Sequence, residues 1–312
     1  MPARRGGGYR PLGNTGIEIS QLGFGCAAAW AKSVMGKPMI SDDEAQKLLE
    51  TAYELGIRYF DTGFNYGFAE ERLGRILEKS KVVRRDQVVI STKFGERVEN
   101  GKWIPDFSPE WMNKSLRISL KRMRIDSVDM LMCHGGEIND MTPDLLFEMQ
   151  KLKEKGIIKA VGINTFDTDV IEWVAKTKSF DFVMLDYNIL RQDREVLIKK
   201  LYDNGIGVIA GAPLAESLYS NRIFKIKSMK DLWYLARAVV RFRGQLIKGL
   251  KFRFINDVDG ISGTQVALKY VLDNQYISSA VFGTTTIVHL EDNVKAQEIE
   301  IPDMVYQKIR QT

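Results

Sequence analysis

Ile57-Arg58-Tyr59-Phe60-Asp61-Thr62-Gly63-Phe64-Asn65-Tyr66-Gly67 is a short apolar run that ends in an acid and turns away through two glycines. Ile57, Tyr59 and Phe60 read as buried strand, and Asp61 to Gly67 as the turn that leaves it before a new helix starts. Gly56 precedes the run, suited to the left-handed stop of a helix that the capping box Ser41-Asp42-Asp43-Glu44 opens and that runs to Leu55. Asp61 then has two readings: a charge placed at a strand end, or turn chemistry in which the carboxylate bonds nearby N–H groups. The endings of the other strands bear on the choice.

The same joint recurs twice. Lys155-Gly156-Ile157 ends the helix from Thr142-Pro143 and starts the strand Ile157 to Gly162; Asn204-Gly205-Ile206 ends the helix after Asp193 and starts the strand Gly207 to Ala212. Three helix-glycine-isoleucine-strand joints suggest one repeated αβ unit. The remaining pattern gives strands at Gln21 to Gly25, Val88 to Lys93, Val128 to Cys133, Phe182 to Asp186 and Ser279 to Phe282. Helices fall at Ala69 to Ser80, Ser108 to Met123, Val170 to Thr177 and Gly263 to Asn274. Upstream, Tyr9 to Gly13 and Ile17 to Ser20 flank Asn14-Thr15-Gly16 as a hairpin. Eight strands alternating with helices over roughly 260 residues match a closed (β/α)8 barrel. The expected fold is therefore an α/β TIM barrel, one domain over 1–312, with an N-terminal β-hairpin and a long helical insertion after strand 7. An open doubly wound sheet is the alternative. Its dinucleotide turn needs a third glycine that Gly23-Phe24-Gly25-Cys26-Ala27-Ala28 lacks.

Composition narrows the function classes. With 312 residues, 45% of them hydrophobic, the chain is long enough for a substantial core. It has no 18-residue apolar run, so no membrane span is expected. Arg4 and Arg5 lack the apolar stretch of a signal peptide, which suggests the cytoplasm. Cys26 and Cys133 are too few for a disulfide framework or a zinc cage, which fits a reducing compartment. A net charge of +5 is modest, and nucleic-acid binding would need a clustered patch.

In such barrels chemistry collects at the C-terminal ends of the strands. Here those ends carry Asp61, Lys93, His134, Asn164 and Asp186 to Asn188. Asp61, Tyr66, Lys93 and His134 make sense as a carbonyl-reducing set. Hydride delivered to a carbonyl carbon leaves an alkoxide, so a donor must supply a proton as charge develops on oxygen. Tyr66 fits that role if a nearby Lys93 ammonium lowers its pKa and Asp61 keeps the ammonium charged and oriented. His134 would donate a second hydrogen bond to the same oxygen. The bland reading is a surface lysine, a packing tyrosine and a core histidine.

Phe60-Asp61-Thr62, Tyr66-Gly67, Ser91-Thr92-Lys93, His134, Gly162-Ile163-Asn164, Tyr187-Asn188, Pro213-Leu214, Gly283-Thr284-Thr285 and Leu290-Glu291-Asp292-Asn293 resemble, in order, the aldo-keto reductase superfamily. Within it the chain is similar to bacterial sugar- and aldose-dehydrogenase-like members. The resemblance implies NAD or NADP bound across the barrel mouth without a Rossmann fold, a small carbonyl or sugar substrate, and no metal. It implies Tyr66 as general acid or base, Asp61 and Lys93 tuning it, and His134 orienting the substrate. Cofactor contacts are implied at Asn164, Thr165, Met184, Gly211, Pro213, Leu214, Gly283, Thr285, His289, Asp292 and Asn293.

Several positions depart from the family's pattern. Asn164 and Thr165 can bond a carboxamide, whereas Met184 stands where a glutamine is common and cannot do so usefully. Gly211 stands where many members stack an aromatic ring. His289 stands where a cation for the 2′-phosphate is often found, and imidazole is a poor substitute for guanidinium at neutral pH. NAD and NADP both stay open. The helix start after Thr286 offers free N–H groups to ribose oxygens or a phosphate.

Residues 222–253 carry ten Lys and Arg, from Arg222 to Arg253, against the single acid Asp231. Leu232, Leu235, Val239, Phe242 and Leu246 supply an apolar face at helical spacing, so the run reads as a helix with a solvated basic face, or as a basic flap over an anionic ligand. Long loops at Ala27 to Pro38 and Arg97 to Pro109 bring Trp30 and Trp103, which, with Phe64, line a substrate pocket or simply pack. Two competing functions remain: a catalytically weak binding or regulatory protein on this barrel, and an unrelated barrel lyase or phosphate-sugar enzyme. Oligomeric state is not legible.

Overall fold

A computed structural model describes residues 8–27, 39–219 and 247–312. Trp30 and most of the basic run, with the apolar face expected from Leu232 to Leu246, lie outside the described residues.

Strands β1 (Tyr9–Pro11) and β2 (Glu18–Ser20) form the antiparallel N-terminal hairpin. β3 (Leu22–Gly25), β4 (Tyr59–Asp61) and β5 (Val89–Phe94) follow, then a second antiparallel hairpin, β6 (Glu96–Glu99) and β7 (Lys102–Pro105). β8 (Val128–His134), β9 (Ile158–Asn164), β10 (Phe182–Asp186), β11 (Gly207–Gly211) and β12 (Ser279–Phe282) complete the strands. β3, β4, β5 and β8 to β12 close into one parallel barrel. Around it run α1 (Asp42–Glu54), α2 (Ala69–Lys79), α3 (Pro109–Met123), α4 (Pro143–Glu154), α5 (Thr168–Thr177), α6 (Glu195–Asp203), α7 (Gly263–Leu272) and α8 (Ile287–Val294), followed by α9 (Asp303–Gln311).

Local chemistry accounts for the punctuation. Ser41 accepts from the Glu44 N–H while the Glu44 carboxylate accepts from the Ser41 N–H, closing the expected capping box. Ser108 and Thr142 cap helices that begin with proline, where the missing N–H costs nothing. The three joint glycines share one conformation, with φ of 95° at Gly56, 69° at Gly156 and 77° at Gly205. Residues with a Cβ pay for that left-handed turn, which explains why glycine recurs there.

Alternation along each strand sorts two cores. Phe24, Phe60, Leu131, Cys133 and Ile163 face the helices, while Tyr59, Met130, Met132, Phe182, Met184 and Ile209 fill the barrel interior. Leu12 and Ile19 of the first hairpin join that inner cluster and plug its N-terminal end. The approach is close: a Cβ on Gly207 would lie 2.6 Å from Leu12 Cδ1. Arg10 locks the plug by donating to the Leu272, Asn274 and Ile277 carbonyls at 2.7, 3.0 and 2.7 Å.

The expected barrel and first hairpin are present, with most boundaries shifted by one or two residues. Residues 97–109 are not simply a loop; most of them form the β6–β7 hairpin. Its turn, Asn100-Gly101, has φ of 50° and 76°, the paired positive values that an Asn-Gly turn supplies. Between β11 and α7 the described part of the insertion holds short helical turns at Ala215–Ser217 and Arg253–Asp257. Among the described residues no helix is long and apolar enough to cross a membrane.

Candidate active site

Parity along the strands aims the polar endings at one place. Asp61 shares inward parity with Tyr59, Lys93 pairs in register with Met132, and His134 pairs with Asn164. Asp61, Lys93, His134 and Asn164 therefore point into the mouth at the C-terminal end of the barrel.

Lys93 is the centre of the group. Its ammonium donates to both Asp61 carboxylate oxygens at 2.6 Å and to the Thr62 carbonyl at 2.9 Å, and the side chain is 1% exposed. Asp61 also accepts the Ser91 hydroxyl at 2.7 Å, and Ser91 lies 3.0 Å from the Tyr59 hydroxyl. Ser91 and Tyr59 are partners that the sequence reading passed over. The available signal was period-two spacing, each lying two residues before Lys93 or Asp61 on the same strand face.

Tyr66 leans over this pair. The Lys93 nitrogen lies 4.8 Å from its ring centre, and the His134 ring meets its ring nearly perpendicular, 5.6 Å between centres. Burial pulls the Lys93 pKa down, but Asp61 and then Tyr66 outweigh it, leaving the pKa raised and the group charged. For Tyr66 the expected lowering is corrected. Burial raises the phenol's pKa and Asp61 adds to that, while Lys93 opposes both without overcoming them. The phenol is thus held protonated, as a proton donor must be. His134 is brought down to about 4, by burial and then by the Lys93 charge, so its imidazole is neutral at pH 7.

The expected cofactor positions divide. Asn164, Thr165, Met184 and Gly211 sit together on the ends of β9 to β11, next to His134. The Asn164 amide and the Thr165 N–H both donate to the Met184 carbonyl, at 3.2 and 3.0 Å. Met184 packs in the inner core, and its Cγ would lie 3.3 Å from a Cβ on Gly211. Pro213 and Leu214 follow in a tight turn after Ala212, whose φ is 50°. Gly283 and Thr285 follow β12, and Thr286 caps α8 by accepting from the N–H of exposed His289. Asp292 is already engaged: its carboxylate accepts from Ser262 and Gln265 at 2.9 Å each. Asn293 is buried beside it.

Phe64 and Trp103 do come together, edge to face at 6.4 Å. They line a cavity of about 470 Å³ with Asn65, Phe68 and Arg122, a space that none of Tyr66, Lys93 and His134 lines. Among the described residues no cluster of three or more His, Cys, Asp or Glu could hold a metal ion.

The family model for the aldo/keto reductases matches residues 21–312. The oxidoreductase YqkF of Bacillus subtilis is 26% identical over 293 residues, covering 92% of this chain and 90% of its own length. L-galactose dehydrogenase of Arabidopsis thaliana is 31% identical over 303 residues, covering 92% and 87%. Among solved structures, the holo form of aldo-keto reductase AKR11C1 from Bacillus halodurans aligns with a TM-score of 0.80 at 26% identity, covering 97% of this chain and 95% of that one.

Proposed function

This chain belongs to the aldo/keto reductase family, whose oxidoreductase chemistry its buried Asp61 and Lys93 fit, and we propose that Tyr66 exchanges the proton in that chemistry. The substrate class we propose is a small aldehyde, ketone or sugar lactol. A nicotinamide cofactor, NAD or NADP, supplies or takes up the hydride when bound. The residues at the mouth fit such a group in part: Asn164 keeps a free amide oxygen for a carboxamide, and Gly211 leaves a ring face uncovered by an aromatic side chain. Met184 offers no useful hydrogen bond there.

In the reducing direction Tyr66 gives its proton to the substrate oxygen as negative charge grows there. The Lys93 ammonium stabilises the phenolate left behind, and Asp61 holds that ammonium in place. Neutral His134 donates its one N–H to the same oxygen and so orients the carbonyl. In the oxidising direction the phenolate takes the proton back. The observation that carries this reading is the buried Lys93, whose ammonium is bonded to Asp61 and lies 4.8 Å from the centre of the Tyr66 ring. The same reading treats residues 1–312 as one unit and, with Cys26 and Cys133 as buried free thiols, favours a reducing compartment such as the cytoplasm.

The test is Tyr66→Phe. Turnover on a panel of aldehydes and sugars is expected to fall at least about a hundredfold, while NADH and NADPH affinities, read by fluorescence titration, stay near wild type. Near wild-type turnover would remove Tyr66 from the mechanism. Cofactor binding by the unaltered protein with no turnover in either direction would favour a binding role instead.

A further inference from the structure

The segment from Phe64 to Glu70 carries Tyr66, and one side chain from another element holds both of its ends. Arg122, near the end of α3, donates through Nη1 to the Phe64 carbonyl at 3.1 Å and to Glu70 Oε2 at 3.0 Å. Its guanidinium also stacks on the Phe64 ring, 4.6 Å from the centre. Glu70 is 1% exposed, and its other oxygen accepts the Thr92 hydroxyl at 2.7 Å. Thr92 adjoins Lys93 on β5, and the Lys93 carbonyl accepts the Phe64 N–H at 3.1 Å. The contacts close a circuit: Lys93, Phe64, Arg122, Glu70, Thr92 and back to Lys93, with Tyr66 on the spanned loop. Helix packing makes the reach possible. A Cβ on Gly74 of α2 would lie 2.5 Å from the Arg122 carbonyl, so only glycine lets α3 come so close.

Burying Glu70 costs solvation, which its cation and hydroxyl partners offset only with well-defined geometry. Such a group fixes position more surely than it adds stability. Tyr66 needs position, because a proton donor displaced by about 1 Å loses up to a hundredfold in rate. We infer that Arg122 is a positioning residue: it clamps the Phe64 to Glu70 loop so that the Tyr66 hydroxyl stays against the Lys93 ammonium. This rests on Tyr66 being the proton donor.

Arg122→Lys tests it, since lysine still pairs with Glu70 but its shorter reach and tetrahedral ammonium lose the flat guanidinium that stacks on the Phe64 ring. The groups facing the phenol are Lys93, Asp61, Cys26, Tyr59 and the His134 ring, and all remain in the variant. Tyr66 ionisation is read from phenolate absorbance after subtracting the Tyr66→Phe titration. It should move to higher pH, because the ammonium's pull weakens with distance. With D,L-glyceraldehyde as probe, kcat should fall about tenfold while KM and the NADH and NADPH dissociation constants stay within about twofold. A wild-type Tyr66 titration in Arg122→Lys overturns the clamp, whether or not the protein reduces glyceraldehyde. If Tyr66→Phe retains wild-type turnover the donor assignment falls. If Tyr66→Phe is inactive while Arg122→Lys has wild-type titration and kcat, only the clamp falls. Phe64→Leu, which removes just the ring under the guanidinium, supplies the same readouts should Arg122→Lys not fold.

Discussion

At His134 the folded chain refuses a proton that the unfolded chain accepts. Burial first, and the Lys93 charge second, bring the imidazole from 6.5 to about 4. Between those values the unfolded state binds more protons, so stability rises with pH across that window and falls on acidification. A shift of that size corresponds to roughly 3 kcal/mol once pH drops below both values. The expected outcome follows from urea unfolding near pH 7 and near pH 4.5. Wild type should lose about 2 to 3 kcal/mol more than His134→Gln, whose side chain has nothing to titrate. Equal losses in the two proteins would mean that His134 takes up its proton as readily in the folded state as in the unfolded one, and the lowered pKa would go with it. The same desolvation explains the correction at Tyr66. Residue types show that Lys93 pulls a phenol's pKa down, but the depth of burial that pushes it up further belongs to the fold.

Elements were legible wherever a local rule demanded a residue type. The three joint glycines announced their turns because a left-handed stop is a property of a single residue, and all three adopt it. The β6–β7 hairpin escaped for a different reason. Asn100-Gly101 is a strong turn signal, but Glu96, Arg97, Glu99 and Lys102 deny the flanking strands an alternating apolar face. Nor does any local pattern connect Arg122 with Glu70, whose meeting depends on how α2 and α3 pack. The same dependence on packing gives the first hairpin its hold on the barrel. Arg10 satisfies three carbonyls at and just beyond the end of α7, where a cation also complements the helix dipole. Arg10→Ala leaves those carbonyls to water or to nothing, and should cost about 2 to 3 kcal/mol. Arg10→Lys should recover only part of it, because an ammonium cannot fork across three acceptors. A urea midpoint unchanged in Arg10→Ala, with the same m value, would show that the plug is held by Leu12 and Ile19 alone.

The barrel assigns its two ends different work: the first hairpin fills one, and the strand endings with Asp61, Lys93, His134 and Asn164 open at the other. This division made Asp61, Lys93 and His134 readable from sequence as one group, because each sits at a strand end and parity does the rest, while Tyr66 lies on the loop beyond Asp61. The cofactor half was less readable. Asp292 matched a motif, yet the structure ties its carboxylate to Ser262 and Gln265 in the cap of α7. What remains for a 2′-phosphate at α8 is the exposed first turn with His289, without a guanidinium at that position. A ligand that binds only the folded chain raises its stability by about 2.7 kcal/mol at a hundred times Kd, which appears as a melting shift of several degrees. At equal concentrations NADH should therefore shift the melting temperature at least as far as NADPH. His289→Arg should enlarge the NADPH shift and leave the NADH shift nearly unchanged, since only NADPH carries the added phosphate. A wild-type protein stabilised far more by NADPH would place the phosphate on other groups. An unchanged NADPH shift in His289→Arg would remove α8 from the cofactor site.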